Sequence, residues 1–244
     1  MEELKRQFDQ LIKMLAAEDR DQLQYRLENL ISVFPFNEYE FVISTLLGLQ
    51  KISLDDYYRI RDEYLDRNMF LYIFEISAPR GFGEQWAQGH LKELVPDLQR
   101  PNKTIDPDYS GQYDLVLKTA GNRHVRIEVK ASRAVDFDDN APLYVKALSF
   151  DSDKRFDMNF QQVKPGCCDV FVWVAVWRDR IHYWILSSKE VESNKYYSKG
   201  QHRGNQGEGQ LHIRWDNIKE FDKYLVPSDQ LQQKILDAFR RQQR

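Results

Sequence analysis

The chain has 244 residues, 42% of them hydrophobic and 30% charged, with a formal net charge of -3. That balance suits a folded protein with a sizeable core, and no run approaches the roughly 18 apolar residues of a membrane span, so no membrane partner is expected. The charge is uneven: residues 1–66 hold 8 Lys+Arg against 14 Asp+Glu, and the remainder 27 against 24. A polyanionic ligand is therefore expected on the later part. The start, MEELKRQFDQL, lacks the apolar stretch and small-residue cleavage site of a secretion signal, so the expected location is cytoplasmic. The adjacent Cys167 and Cys168 read as reduced, buried strand residues.

Leu4, Phe8, Leu11, Ile12 and Leu15 recur at helical spacing and predict a helix over 2–16. A second helix begins at Asp19 or Asp21, turns Leu23, Leu27, Leu30 and Ile31 inward, and ends at Pro35. Asn37 is the expected cap of a third helix through Leu49, and Ser53 opens a fourth with acids in its first turn. No reactive cluster occurs here, and residues 1–78 read as a helical subdomain for packing, dimerisation or DNA contact. NMFLYIFEIS, 68–77, suits either a buried helix end or a strand. After a break at Pro79, Gly81 and Gly83, the segment GEQWAQGHLKEL predicts a helix with Trp86, Ala87, Leu91 and Leu94 on its apolar stripe. Residues 79–244 form the expected second domain.

Two strands joined by a short turn follow, within Asp106–Ser132. In VRIEVKAS, Val125, Ile127, Val129 and Ala131 face one side, and Arg126, Glu128, Lys130 and Ser132 the other. Asp114 begins the preceding apolar run LVL, and Gly121-Asn122 mark the turn. Parity decides whether Asp114 joins Glu128 and Lys130. A two-residue loop would place it opposite Val129, on the wrong face. A three-residue loop would place it opposite Glu128 (loop 120–122) or Lys130 (loop 121–123), and a bulge would serve as well. An odd loop or a bulge is therefore expected. Two carboxylates beside a lysine suit a hard cation such as Mg²⁺ that keeps several of its waters. Such an ion acidifies water and offsets charge on a phosphate oxygen, while the lysine orients or deprotonates the attacking water.

The polar stretch 133–157 comes next. FDMNFQQVKPG is expected as a short helix ending before Pro165. CCDVFVWVAVW predicts a strand buried on both faces, RDR a turn, and IHYWILS the second strand of a hairpin. Trp173, Trp177, Tyr183 and Trp184 read as core. Residues 192–210 read as a long polar loop; Lys195–Gln206 carry three cations, two tyrosines and no acid. LHIRW is a last short strand, and 227–243 a terminal helix capped by Ser228 with Leu231, Ile235, Leu236 and Phe239 inward.

Asp114 followed fourteen positions later by Glu128-Val129-Lys130, at the end of an apolar strand, resembles the PD-(D/E)XK nuclease superfamily, above all its type II restriction endonucleases. Gln112-Tyr113 stand where the motif's proline would be. The resemblance spans about residues 80–190 in order of elements. It implies an α/β (α+β) fold with a restriction-endonuclease-like central mixed β-sheet flanked by helices, behind a helical N-terminal subdomain. It also implies Mg²⁺-dependent hydrolysis of double-stranded DNA leaving 5′-phosphates. Glu84 matches the acid that many members carry on the preceding helix, so catalysis and metal binding would fall to Asp114, Glu128 and Glu84, with Lys130 catalytic. Gln161 and Gln162 match a later glutamine. Ser132, Arg133, Lys154, Gln161, Gln162, Lys199, Gln201, His202, Arg203, Asn205 and Gln206 are the candidates for DNA contact. Cutting both strands needs two sites, so a homodimer is expected. A repair or recombination nuclease of the same fold is the alternative enzyme, and a non-catalytic DNA-binding scaffold the alternative of another class.

Overall fold

In a computed structural model of the chain, the residues described are 2–28, 35–121, 123–200 and 208–243. They form a mixed α/β protein with a five-stranded mixed sheet and a three-stranded antiparallel sheet, flanked by helices. No helix among them is long and apolar enough to cross a membrane. The chain divides into two compact units: Met1–Glu75 with Asp139–Ser152 and Trp177–Arg180, and Ile76–Asp138 with Asp153–Val176 and Ile181–Arg244. The N-terminal stretch of the first unit runs to Glu75, and two later segments of chain group with it.

The first unit contains α1 (Glu2–Lys13), α2 (Ala17–Glu28), α3 (Pro35–Gly48) and α4 (Leu54–Arg67). Leu15, Leu23, Val42 and Leu46 form one apolar cluster. Tyr39, Ile43 and Tyr64 form another, with the two tyrosine rings stacked at 4.3 Å. The expected cap of α4 is present as a capping box between Ser53 and Asp56. Pro35 begins α3, so Asn37 lies inside that helix and is not its cap; a first-turn position tolerates proline because its missing N–H has no intrahelical partner. Leu30 and Ile31 lie outside the described residues. The ambiguous 68–77 segment is a tight 3₁₀ turn over Leu71–Glu75 that buries Leu71, Ile73 and Phe74.

Burial pushes the Glu75 carboxyl up to about 7, and the Glu38 carboxylate adds to the push. Its Oε1 has no hydrogen-bond partner among the described residues. A carboxyl with its folded pKa raised favours the fold while protonated, and that contribution is lost as pH rises through about 7. Glu75→Gln should therefore raise the melting temperature at pH 8 and leave it nearly unchanged at pH 4.5. Equal melting shifts at the two pH values would contradict this.

Eight strands lie among the described residues of the second unit: β1 (Leu115–Lys118), β2 (His124–Arg133), β3 (Asp157–Val163), β4 (Val170–Val176), β5 (Ile181–Ser187), β6 (Tyr197–Lys199), β7 (Gly209–Arg214) and β8 (Leu225–Val226). The larger sheet runs β1-β2-β4-β5-β8 and the smaller β3-β7-β6. Only the β2–β4 pairing is parallel. Central β4 is buried at every position, as its unbroken apolar sequence requires. Trp173 packs edge-on against Phe160 at 5.0 Å and stacks on Phe171 at 5.4 Å. Trp173, Tyr183 and Trp184 are core, as expected; buried Trp177 belongs to the first unit.

Several expectations need correction. FDMNFQQVKPG is not a helix: it supplies β3, burying Met158, Phe160 and Val163 and pairing with β7. The cysteines precede the strand: Cys167 ends a 3₁₀ turn, Cys168 is buried, and β4 starts at Val170. Ser228 opens a 3₁₀ turn, and the terminal helix α7 (Leu231–Gln242) starts after it, so Ser228 is not its cap. A short α6 (Ser188–Glu192) follows β5. The polar 192–210 stretch is partly regular, because β6 and β7 pair as a hairpin through Tyr197↔Leu211, Ser198↔Gln210 and Lys199↔Gly209. A Cβ on Gly209 would lie 2.4 Å from the Ser198 carbonyl oxygen and 2.4 Å from the Tyr197 ring. Gly209→Ala should accordingly destabilise the protein by about 1–3 kcal/mol through overpacking. An unchanged urea midpoint would show that the hairpin has room to spare.

Candidate active site

The turn between β1 and β2 has odd length. Lys118 pairs with His124, and the Thr119 N–H donates to the Arg123 carbonyl at 2.8 Å, leaving 120–122 to close the loop. Asn122 itself lies outside the described residues. The ladder continues to Leu115↔Ile127, which sets Asp114 opposite Glu128. This is one of the two three-residue registers that could bring the acids together.

Asp114 is held from three sides. Its N–H donates to the Ile127 carbonyl at 3.0 Å, its Oδ2 accepts from the Val129 N–H at 2.8 Å, and its Oδ1 accepts from Gln88 Nε2 at 2.9 Å. Gln88 begins α5 (Gln88–Leu94), which continues a π-helical segment, Gly81–Ala87. Phe82, Trp86 and His90 stack in a row along it at 5.6 and 5.2 Å, and His90 stacks on Tyr183 of β5 at 5.9 Å. That aromatic row fixes the helix that presents Gln88.

Glu128 and Lys130 leave β2 on the same face, and Lys130 Nζ lies 2.7 Å from Glu128 Oε1. Their side chains are only 13% and 15% exposed, so neither is a solvated surface charge. Burial pushes the Glu128 carboxyl up to about 7. The Lys130 ammonium opposes the shift, while the charge of Asp114 and a hydrogen bond from Glu128 to it reinforce it. Two carboxyls in hydrogen-bond contact need either a shared proton or a cation between them. Their donors are all oxygens, which fits a hard divalent ion that retains water. Among the described residues no group of three His, Cys, Asp or Glu is placed to hold a metal. The Glu84 side chain lies outside the described ones, although its backbone is part of Gly81–Ala87.

Other expected residues have varied surroundings. Ser132 follows Lys130 on β2 and is half-buried. Arg133 is an internal strut: its Nη1 donates to the Ile76 carbonyl at 2.8 Å, its guanidinium lies 4.2 Å over the Phe82 ring, and burial pushes its pKa down to about 10. Lys154 pairs with Asp136 at 2.6 Å, and Lys199 with Glu192 at 3.4 Å. Gln161 and Gln162 are exposed on β3. Gln201, His202, Arg203, Asn205 and Gln206 lie outside the described residues.

Three neighbours of the site were not anticipated. Gln88 stands four residues after Glu84, a spacing that puts both on one helical face and was the available signal. Lys164, just past β3, pairs with Glu208 at 2.6 Å and lies within the field of Glu128. Cys167 lies within the field of Asp114, Glu128 and Lys130. Neither of the last two has a local sequence signal, since both arrive through sheet packing. No protein-family model and no curated protein matches this chain.

Proposed function

We propose that the chain is a Mg²⁺-dependent, sequence-specific endonuclease of double-stranded DNA, a type II restriction enzyme on a restriction-endonuclease-like fold. The observation that carries the reading is the three-residue turn of the β1–β2 hairpin, which sets Asp114 against Glu128 beside Lys130. Asp114 and Glu128 would hold the cation, with Glu84 as the third carboxylate suggested by its place in the sequence. A bound Mg²⁺ supplies charge stabilisation at the phosphate and acidifies water. Gln88 and the Val129 N–H keep the Asp114 carboxylate oriented. Lys130 Nζ, held by Glu128, positions the attacking water and offsets charge on the phosphate. Water adds to phosphorus, the P–O3′ bond breaks, and the departing 3′-oxygen takes up a proton, leaving 5′-phosphate and 3′-hydroxyl ends.

A homodimer, its two-fold axis matching a palindromic site, would cut both strands. Supercoiled plasmid incubated with the protein and Mg²⁺ should yield discrete fragments bearing 5′-phosphates. A smear, or cleavage confined to branched substrates, would move the reading to a repair nuclease of the same fold. Salt-sensitive binding without cleavage would favour a scaffold.

A further inference from the structure

A second feature lies on the outer face of the β3-β7-β6 sheet. Asp157 pairs with Arg214, Asn159 with His212 and Phe160 with Leu211; the register then shifts, and Val163 pairs with Gly209. Gln161 and Gln162 thus stand together opposite Gln210, which makes a β-bulge. Gln162 has φ 56°, in the left-handed region that a non-glycine side chain rarely adopts. Both glutamines are exposed at consecutive positions, which regular strand alternation does not allow. The bulge carries backbone strain at Gln162, turns Val163 into the core and sets both glutamines on the solvent side; bulges of this kind recur beside functional sites.

The two faces of the sheet differ in kind. Met158, Phe160, Val163, Leu211 and Ile213 are buried. By alternation, Asp157, Asn159, Gln210, His212 and Arg214 take the other face, with no apolar side chain between them. They form an ordered network: Asn159 Nδ2 donates to Gln210 Oε1 at 3.3 Å, His212 Nε2 lies 3.2 Å from the same oxygen, and His212 Nδ1 lies 2.8 Å from Asp157. The network limits the rotamers of Asn159 and Gln210. The bulge lies on β3, which packs against the β2 strand that carries Glu128 and Lys130, and the Lys164–Glu208 pair flanks it in sequence.

We propose that the two exposed carboxamides of the bulge, Gln161 and Gln162, backed by the network of Asn159 and Gln210, read base edges in the major groove of duplex DNA and select A·T pairs. The inference rests on the nuclease reading above. An antiparallel ribbon has dimensions the major groove admits, and a carboxamide pairs bidentately with the N6 and N7 edge of adenine. Carboxamides also donate to phosphate oxygens, a contact without sequence preference that the test below tells apart from base reading. The position beside Glu128 sets the bases being read close to the phosphate being cut.

The test uses a library of duplexes with a randomised tract, cut in Mg²⁺ and sequenced at the ends. Wild type is compared with Gln161→Ala, Gln162→Gly and Gln161→Ala/Gln210→Ala, each first checked for a native melting transition. Gln162→Gly suits the positive φ, so it keeps the fold if the alanine variants do not. Wild-type ends should share a motif containing A·T pairs. Each variant should lose discrimination at one or two of those positions, by roughly 5- to 150-fold per bidentate contact. An unchanged motif with unchanged discrimination in folded variants, or a wild-type motif without A·T pairs, overturns the proposal. Should wild type cut nothing, the nuclease reading fails separately, and the same library is then selected for binding in Ca²⁺. A·T-selective binding that the variants lose keeps the reading surface, and binding without sequence preference overturns it.

Discussion

Glu128→Ala and Lys130→Ala are each expected to lower Mg²⁺-dependent plasmid cleavage by about 10²- to 10³-fold, the scale seen when a preorganised charge-stabilising group is removed. The two losses have different origins. Glu128→Ala removes one of the two converging carboxylates, so the proposed cation would lose a ligand. Lys130→Ala keeps both carboxylates but removes the ammonium 2.7 Å from Glu128. That ammonium opposes the upward push on the Glu128 carboxyl, so its loss leaves the carboxyl more firmly protonated and less able to bind a cation. Neither change should unfold the protein. Val125, Ile127 and Val129 carry the buried face of β2, and the charged pair projects from the other. Circular dichroism and melting should stay native while cleavage disappears. Retained cleavage in either folded variant would remove that residue from the active site.

Mg²⁺ should stabilise the DNA-free protein more at pH 8 than at pH 6. The Glu128 carboxyl is pushed up to about 7 by burial and by Asp114, so in the folded protein it is protonated at pH 6 and largely ionised at pH 8. A group with its folded pKa raised contributes stability at low pH and loses it as pH rises through about 7. The metal-free protein therefore carries an uncompensated carboxylate at pH 8, which a cation relieves. Proton and cation compete for the same oxygens, so apparent Mg²⁺ affinity should fall by about tenfold per pH unit below 7. Melting temperatures across a Mg²⁺ series at pH 6 and 8 measure this. Glu128→Gln should flatten the difference between the two. A wild-type shift equal at both pH values would mean that Glu128 is not a ligand of the ion.

The strand over 125–132 was legible because alternation at two-residue spacing is a local property: each apolar side chain at Val125, Ile127 and Val129 needs one buried face, whatever the partner. The cap at Ser53 and the apolar strand after the cysteines were legible for the same reason. Segment 156–163 reads as a helix in the sequence and is a strand in the structure. Phe156, Met158, Phe160 and Val163 suit a strand, while the Gln-rich end before Pro165 suits a helix terminus. The partner that decides, β7, lies some fifty residues further along the chain. The recruitment of Asp139–Ser152 and Trp177–Arg180 into the N-terminal unit had no signal in composition at all.

The sequence by itself determined the residue types of the site, the face that Glu128 and Lys130 share, and the condition that Asp114 could join them only through an odd turn or a bulge. The tertiary structure decided which of those turns forms, and it set Gln88 on Asp114 and Lys164 near Glu128. Periodicity specifies the direction of a side chain relative to its own backbone. Register, the burial that raises the Glu128 carboxyl, and contacts between distant strands depend on the packing of the whole domain.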